Sequence, residues 1–229
     1  MDPDGTLTRM KQDWNERARS DAEFFIAKTQ DSKAFDASAA DDLTSLLQGI
    51  ESFVTQDARV LDLGCGIGRL IKPLAPRVAE LHGVDVSGEM IERARAYLVD
   101  IPNVSLSENN GSDLSGLKDG MFDVAYSYLM FQHIPDSQIV ETYLREVNRV
   151  LKPGAAFKFQ IDGRGDRVFW RVYRALRGHS SWRGALWTES GVVEAVGRAG
   201  FDVVDVRVDP RQHGAMRYAY LWVTCIKRS

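Results

Sequence analysis

The sequence predicts an α/β protein: a doubly wound sheet of seven strands, mostly parallel with an antiparallel last strand, with helices on both faces. Three features predict it. From Arg59 onward, strand-like and helix-like segments alternate, as parallel strands joined by crossover helices do. The first of these strands runs into a glycine-rich turn, "VLDLGCGIGRL", residues 60–70. The last two strand candidates, "FDVVDVRVD" and "RYAYLWVTCIK", are separated only by "PRQHGAM", too short for a parallel crossover, so they form an antiparallel hairpin.

Two helices precede the sheet. In "RMKQDWNERARSDAEFFIAK" the apolar residues Met10, Trp14, Ala18, Ala22, Phe25 and Ile26 fall at helical spacing. So do Leu43, Leu46, Leu47, Ile50, Phe53 and Val54 in "ADDLTSLLQGIESFV". The intervening "TQDSKAFDASA" has the composition of a turn. Then come "RVLDLG" as the first strand, a short helix from Gly68 to about Pro76, "ELHGVDV" as the second strand, and "SGEMIERARAYL" as a helix with Ser87 at its N-cap. "NVSLSEN" and "FDVAYSYLM" are the third and fourth strands. The helix in "DSQIVETYLREVNRVLKPG" is capped by Asp136 and expected to stop at Lys152-Pro153-Gly154. "AAFKFQI" is the fifth strand, and a last helix lies near "TESGVVEAVGRAG". The arrangement is Rossmann-like, and the whole of 1–229 is expected to be a single domain.

Composition narrows the function. With 229 residues, 44% hydrophobic and 27% charged, the chain can bury one sizeable core. Lys and Arg total 29 against 32 for Asp and Glu, so no overall basic field draws the protein to nucleic acid. Cys65 and Cys225 form no C-x-x-C pair, which suits a reducing, cytoplasmic setting. The opening "MDPDGTLTRM" is acidic and polar where a secretory signal is basic then apolar, and no window approaches the ~18 apolar residues of a membrane span.

Glycines at a strand-to-helix turn permit positive φ and let a ligand come close to the backbone. Here Gly64, Gly66 and Gly68 give G-x-G-x-G; the dinucleotide fingerprint G-x-G-x-x-G needs its third glycine where this chain has Arg69. Asp62 precedes the first glycine by two residues. Asp85 follows Gly64 by 21 residues, about the separation at which a carboxylate reaches a ribose hydroxyl pair. A glycine turn alone can serve packing, but joined to Asp85 it points to an adenosine-containing ligand.

These stretches resemble the class I S-adenosylmethionine-dependent methyltransferases. "VLDLGCGIGRL" is similar to their first motif, "GVDVSGEMI" to the acidic second-strand motif, and "NNGSDL" to the loop that reaches the adenine. "FDVAYSYLMFQHIPD" resembles their fourth strand and turn, and "LREVNRVLKPGAAFKF" the helix and fifth strand, so the likeness covers roughly residues 55 to 162. The opening "DWNERARSDAEFFI" resembles N-terminal helices of small-molecule members, which implies that residues 1–54, Trp14 among them, cover the cofactor.

The resemblance implies S-adenosyl-L-methionine as cofactor, with S-adenosyl-L-homocysteine as product. It places Gly64, Cys65 and Gly66 against the methionine part, with Asp62 near the ammonium group, and Asp85 on the ribose hydroxyls. Val86 counts among the cofactor-binding residues, Met90 falls at the adenine, Asp113 and the Ser112 backbone at its exocyclic amine, and Tyr128 at the methionine end. Other roles stay open for some of them. Met90 shares an apolar helix face with Ile91 and Ala94 and suits core packing equally, Asp113 can simply open a turn in "GSDLSG", and Cys65 suits a small residue in a crowded loop.

A sulfonium methyl is already activated, so the protein mainly orients it and excludes water. A hydroxyl acceptor also profits from a base, and His133 in "FQHIPD", just past the fourth strand, is the candidate; a structural role is the alternative. His82, His179 and His213 have no metal-ligand spacing, and no metal is expected. The insert "GRGDRVFWRVYRALRGHSSWRGALW", residues 163–187, carries six arginines against one aspartate. Read as a helix, it puts Phe169, Val172, Tyr173 and Leu176 on one face and Arg167, Arg171 and Arg174 on another: an amphipathic lid for a small, anionic acceptor, or a solvated face. Trp170, Trp182 and Trp187 either line an apolar pocket or pack the lid down. The expected function is methylation of a small molecule; an RNA or nucleoside methyltransferase and a non-catalytic cofactor-binding partner subunit are the alternatives.

Overall fold

The computed structural model describes residues 5–27, 31–166, 172, 184–213 and 216–229. Helices α1 (Thr6–Ala27) and α2 (Ser32–Leu47) come first. They are followed by β1 (Arg59–Leu63), α3 (Ile71–Leu74), β2 (Glu80–Asp85), α4 (Gly88–Tyr97), β3 (Val104–Glu108) and β4 (Phe122–Ser127). Then come α5 (Ser137–Val150), β5 (Leu151–Asp162), α6 (Glu189–Arg198), β6 (Phe201–His213) and β7 (Met216–Lys227). The seven strands stand in the order β3-β2-β1-β4-β5-β7-β6, with β7 antiparallel to both neighbours and the other pairs parallel. The order reverses between β1 and β4, and the crevice outside the carboxyl ends of these two strands is where α/β sheets of this kind bind ligands.

The caps behave as local chemistry dictates. The Ser87 Oγ accepts from the Met90 backbone N–H, and the Asp136 carboxylate accepts from the Gln138 N–H, each satisfying a helix-end donor. Three sequence expectations need correction. Of the turn-like stretch, residues 32–39 are the first half of α2, where Phe35 and Ala39 are buried. The second helix correspondingly ends at Leu47 and not near Val54. Lys152-Pro153-Gly154 does not follow α5 as a stop, because the helix ends at Val150 and β5 begins at Leu151. α1 is also broken at Asp21, whose φ of −166° and ψ of 86° are extended.

The two faces of the sheet differ. Against α5 and α6 lie Phe131, Phe157, Phe159, Ile161, Phe201, Val223 and Cys225, all buried in one apolar cluster. The Phe157 and Phe159 rings stack at 4.9 Å, and Phe131 meets Phe159 edge-on at 5.2 Å, favourable geometries for aromatic pairs. On the other face, under α2, buried polar groups interrupt the aliphatic packing: Asp62, Lys158, Gln160 and Thr224. Register puts Asp62 beside Tyr126, Tyr126 beside Lys158, and Lys158 beside Thr224.

Candidate functional site

The glycine turn after β1 is held by its own backbone. Gly64 and Cys65 donate to the Val84 carbonyl at 2.7 and 3.1 Å, and Gly68 donates to the Cys65 carbonyl at 2.9 Å. Gly64 and Gly66 have φ of 81° and 54°, a region costly for residues with a Cβ. Space is equally restrictive: a Cβ on Gly64 would stand 2.4 Å from the Met130 Cγ, and one on Gly66 would stand 2.8 Å from the Ile26 Cδ1.

Asp85 ends β2 beside this turn. One carboxylate oxygen accepts from the Gly66 N–H and the other from the Ser87 N–H, both at 2.9 Å. Each oxygen keeps lone-pair capacity for a further donor, so the group is aimed and only partly used. Burial pushes its pKa above the usual carboxylate range, against the pull of these N–H groups. Asp62, buried beneath the turn, accepts from the Tyr126 hydroxyl at 3.0 Å. Burial is the main reason its pKa rises to about 7; Asp85 adds to the rise, while Tyr126 and Arg69 oppose it. A desolvated carboxylate poised there is the counter-charge that a bound cation would favour.

α1 lies across the opening. The Asn15 Oδ1 accepts from the Ser87 hydroxyl at 2.7 Å, Arg19 pairs with Glu89 at 2.8 Å, and Lys11 pairs with Glu108. The Trp14 ring meets the His133 ring edge-on at 5.1 Å, so the first helix touches the turn after β4. Val86 packs close to Gly111, near Met10 and Leu7 of α1. Met90 is buried with Ala18, Ala22, Phe35 and Ile67, the core packing that its helix face suggested. The anchors Lys11, Asn15 and Arg19 were missed from sequence; their i, i+4, i+8 spacing was the available signal.

Other candidates also make contacts within the protein. The Asn110 side-chain oxygen accepts from the Ser112 and Asp113 N–H groups, and Asp113 accepts from the Ser115 N–H at 3.0 Å, so this stretch is a tight Asx-type turn. Partial burial would raise the Asp113 carboxyl, but the Asn110 and Ser115 hydrogen bonds carry it below its ordinary value. The Cys65 side chain points beneath Gly83 into the core, and burial pushes its thiol pKa well up, so its part in the turn is its backbone. Tyr128 turns toward α2, donating to Asp42 at 2.7 Å and stacking on Trp222 at 5.6 Å.

Arg69, which stands where a dinucleotide turn has glycine, is a buried anchor. Its guanidinium donates to the Ser38 hydroxyl at 3.0 Å and pairs with Asp42 at 2.8 Å. Asp42 thereby links the glycine turn to Tyr128 and pins α2 over the point where strand order reverses. Leu129, next along the chain, has a φ of 58°; a non-glycine residue held there stores strain of about 1–3 kcal/mol at the mouth of the crevice.

The 3-10 turn Phe131–His133 presents His133, half-buried, with its Nε2 3.2 Å from the Gln132 side-chain nitrogen. The returning end of the 163–187 insert lands on the same turn. Gly184 donates to the Gln132 carbonyl at 2.6 Å and Ala185 to the Ile134 carbonyl at 2.7 Å, on either side of His133. A Cβ on Gly184 would stand 2.4 Å from the Gln132 carbonyl oxygen, which explains the glycine. Its outgoing end is fixed by the Asp162–Arg164 ion pair, with Trp187 donating to the Asp162 carbonyl. Arg167, Phe169, Trp170, Arg171, Tyr173, Arg174, Leu176, His179 and Trp182 of the expected lid lie outside the described residues, and Val172 is exposed. Trp187 is buried in the core against α6. Among the described residues no group of three or more His, Cys, Asp or Glu side chains could hold a metal ion, and no helix is long and apolar enough to cross a membrane.

Residues 60–154 match the methyltransferase domain family. The ubiquinone biosynthesis O-methyltransferase of Xanthomonas oryzae pv. oryzae is 34% identical over 98 residues, which are 42% of this chain and 40% of that protein. The chain thus spans less than half the length of this curated relative. A solved S-adenosylmethionine-dependent methyltransferase from Methanosarcina mazei superposes with a TM-score of 0.65 at 22% identity, covering 78% of this chain and 96% of that one. The phosphoethanolamine N-methyltransferase 2 of Haemonchus contortus, solved with phosphomonomethylethanolamine and S-adenosylhomocysteine, gives 0.63 at 17% identity, covering 81% and 53%. Residues 60–154 are a methyltransferase domain, and the sheet around them has the fold of the class I S-adenosylmethionine-dependent enzymes.

Proposed function

Starting from this methyltransferase domain, we propose that the protein moves a methyl group from S-adenosylmethionine to a small-molecule acceptor. The observation that carries the reading is the pairing of the positive-φ glycine turn with Asp85, both of whose oxygens are oriented by backbone N–H groups while retaining capacity for ribose hydroxyls. Asp62, buried and poised near neutrality, suits the cofactor's cationic amino-acid end. The donor set therefore fits the cofactor. When bound, S-adenosylmethionine supplies a methyl group already activated on sulfur.

The chain's own residues bind, orient and exclude water. Gly64, Cys65 and Gly66 offer backbone to the methionine part, Asp85 holds the ribose, and Val86, Met90, Ser112 and Asp113 border the adenine. Tyr128 acts at the methionine end through Asp42 and α2. α1, with Trp14, closes the cofactor end and dries the site. His133 receives the proton of a hydroxyl acceptor on a ring nitrogen as the oxygen attacks in line. An oxygen acceptor is supported by the curated relative's name, which specifies an O-methyltransferase.

Titration calorimetry with S-adenosylhomocysteine tests the cofactor assignment. Asp85→Ala is expected to weaken binding at least about 100-fold, a loss of about 2.7 kcal/mol; equal affinity in the variant would sink it. His133→Ala is expected to lower turnover about 100-fold, within the range for a general base, with cofactor affinity unchanged. Unaltered turnover removes His133 from the mechanism.

A further inference from the structure

Gln160 stands near the carboxyl end of β5, fully buried, and neither its Oε1 nor its Nε2 has a hydrogen-bond partner. The polar residues beside it along β4 and β5 have partners. Lys158 donates to the Ser45 and Gln48 carbonyls at 3.2 and 2.5 Å, Tyr126 to Asp62, Tyr128 to Asp42, and Arg164 to Asp162. A methionine of similar volume would fill the space without two desolvated polar atoms, so a carboxamide here has no packing rationale.

Its surroundings say what it lacks. Trp222 is its register partner on β7, and Tyr128 stands beside it one residue beyond the Ser127–Phe159 pair on β4. The Trp222 and Tyr128 rings lie 5.6 Å apart and nearly parallel, at 16°. A carboxamide presents one acceptor and one donor side by side in a plane, and aromatic faces beside it favour a planar partner. β5 adjoins β4, whose carboxyl end borders the crevice where the strand order reverses.

Resting on the methyltransferase reading above, we propose that Gln160 reads the methyl acceptor. Its Oε1 and Nε2 together pair with a planar ring that carries a hydrogen-bond donor and acceptor on adjacent atoms, set beside the Tyr128–Trp222 stack. Gln160 is a specificity-determining residue for the acceptor and has no part in holding the cofactor.

The test uses the full chain loaded with S-adenosylhomocysteine and two probes, 2-pyridone, with adjacent N–H and C=O, and N-methyl-2-pyridone, which lacks the donor. Ligand-observed NMR titration is expected to show wild type preferring 2-pyridone about five- to tenfold, the worth of one hydrogen bond. Gln160→Met should abolish that preference, keep the S-adenosylhomocysteine Kd within about twofold, and melt at an equal or higher temperature because two unpartnered polar atoms are gone. Gln160→Leu, a shorter, branched replacement, repeats the measurement should the methionine variant not fold. Equal preference in wild type and variant, or no 2-pyridone binding to the loaded wild type, overturns the proposal. A wild type that fails to bind S-adenosylhomocysteine overturns the methyltransferase reading instead.

Discussion

The two faces of β4, β5 and β7 are built from alternate residues of the same strands, yet they do different work. Under α5 and α6, Phe157, Phe159, Val223 and Cys225 join a continuous aromatic and aliphatic core. Under α2, their immediate neighbours Lys158, Gln160, Trp222 and Thr224 form a face where charge and hydrogen bonds are buried. The first face is the inexpensive way to hold a sheet together. The second carries desolvated groups that stability alone does not call for, and it runs to the crevice where Asp62, Arg69 and Tyr128 meet. Stability accounts for the first side of the sheet; the second carries the buried polar groups proposed above to meet ligand.

Breaking the apolar face should have the largest effect. Phe159→Ala leaves a cavity among Phe131 and Phe157 and is expected to cost about 3–5 kcal/mol in denaturant unfolding. A cost below about 1 kcal/mol would erase the distinction between the faces.

Asp62→Asn acts in the opposite direction. Because burial holds the Asp62 pKa near 7, above its ordinary value of 3.8, the folded state keeps a proton that the unfolded chain gives up. Wild-type stability is therefore undiminished by this group below pH 4 and declines through pH 7. The asparagine variant should become the more stable by a few kcal/mol as pH rises through that window, read as a pH series of melting curves. A Tm difference independent of pH would show that Asp62 is ionised throughout.

The smallest expected effect comes from the latch between α2 and the crevice. Tyr128→Phe removes the hydroxyl from Asp42 while keeping the stack on Trp222, at a cost of about 1 kcal/mol. If the latch positions α2 for ligand, the variant should also weaken S-adenosylhomocysteine binding a few-fold. Stability loss with unchanged affinity would make the contact purely structural.

Local chemistry made much of this legible in advance. Ser87 and Asp136 cap because a short polar side chain before an apolar-periodic run satisfies helix N–H groups within three residues. The glycine turn and Asp85 are readable because both follow directly from strand ends. The 32–39 stretch misled because its Ser, Asp and Lys residues resemble a turn, and the burial of Phe35 and Ala39 that makes it helical comes from packing. Arg69 and Tyr128 were readable as positions but not as partners, since each reaches Asp42 across 27 and 86 residues. The clasp of Gly184 and Ala185 around His133 likewise joins segments about fifty residues apart.

By itself, then, the sequence determined the strand count, the antiparallel ending, the glycine turn and the acidic residue beside it, because each rests on spacing within one element or across one turn. Tertiary structure alone decided which buried polar groups find partners: that Arg69 and Tyr128 share Asp42, that α1 bolts onto α4 through Asn15 and Arg19, and that Gln160 has no partner. The physical reason is that a hydrogen bond needs two atoms within about 3 Å. Chain periodicity chooses the face a side chain occupies, and only the packed fold sets what it meets there.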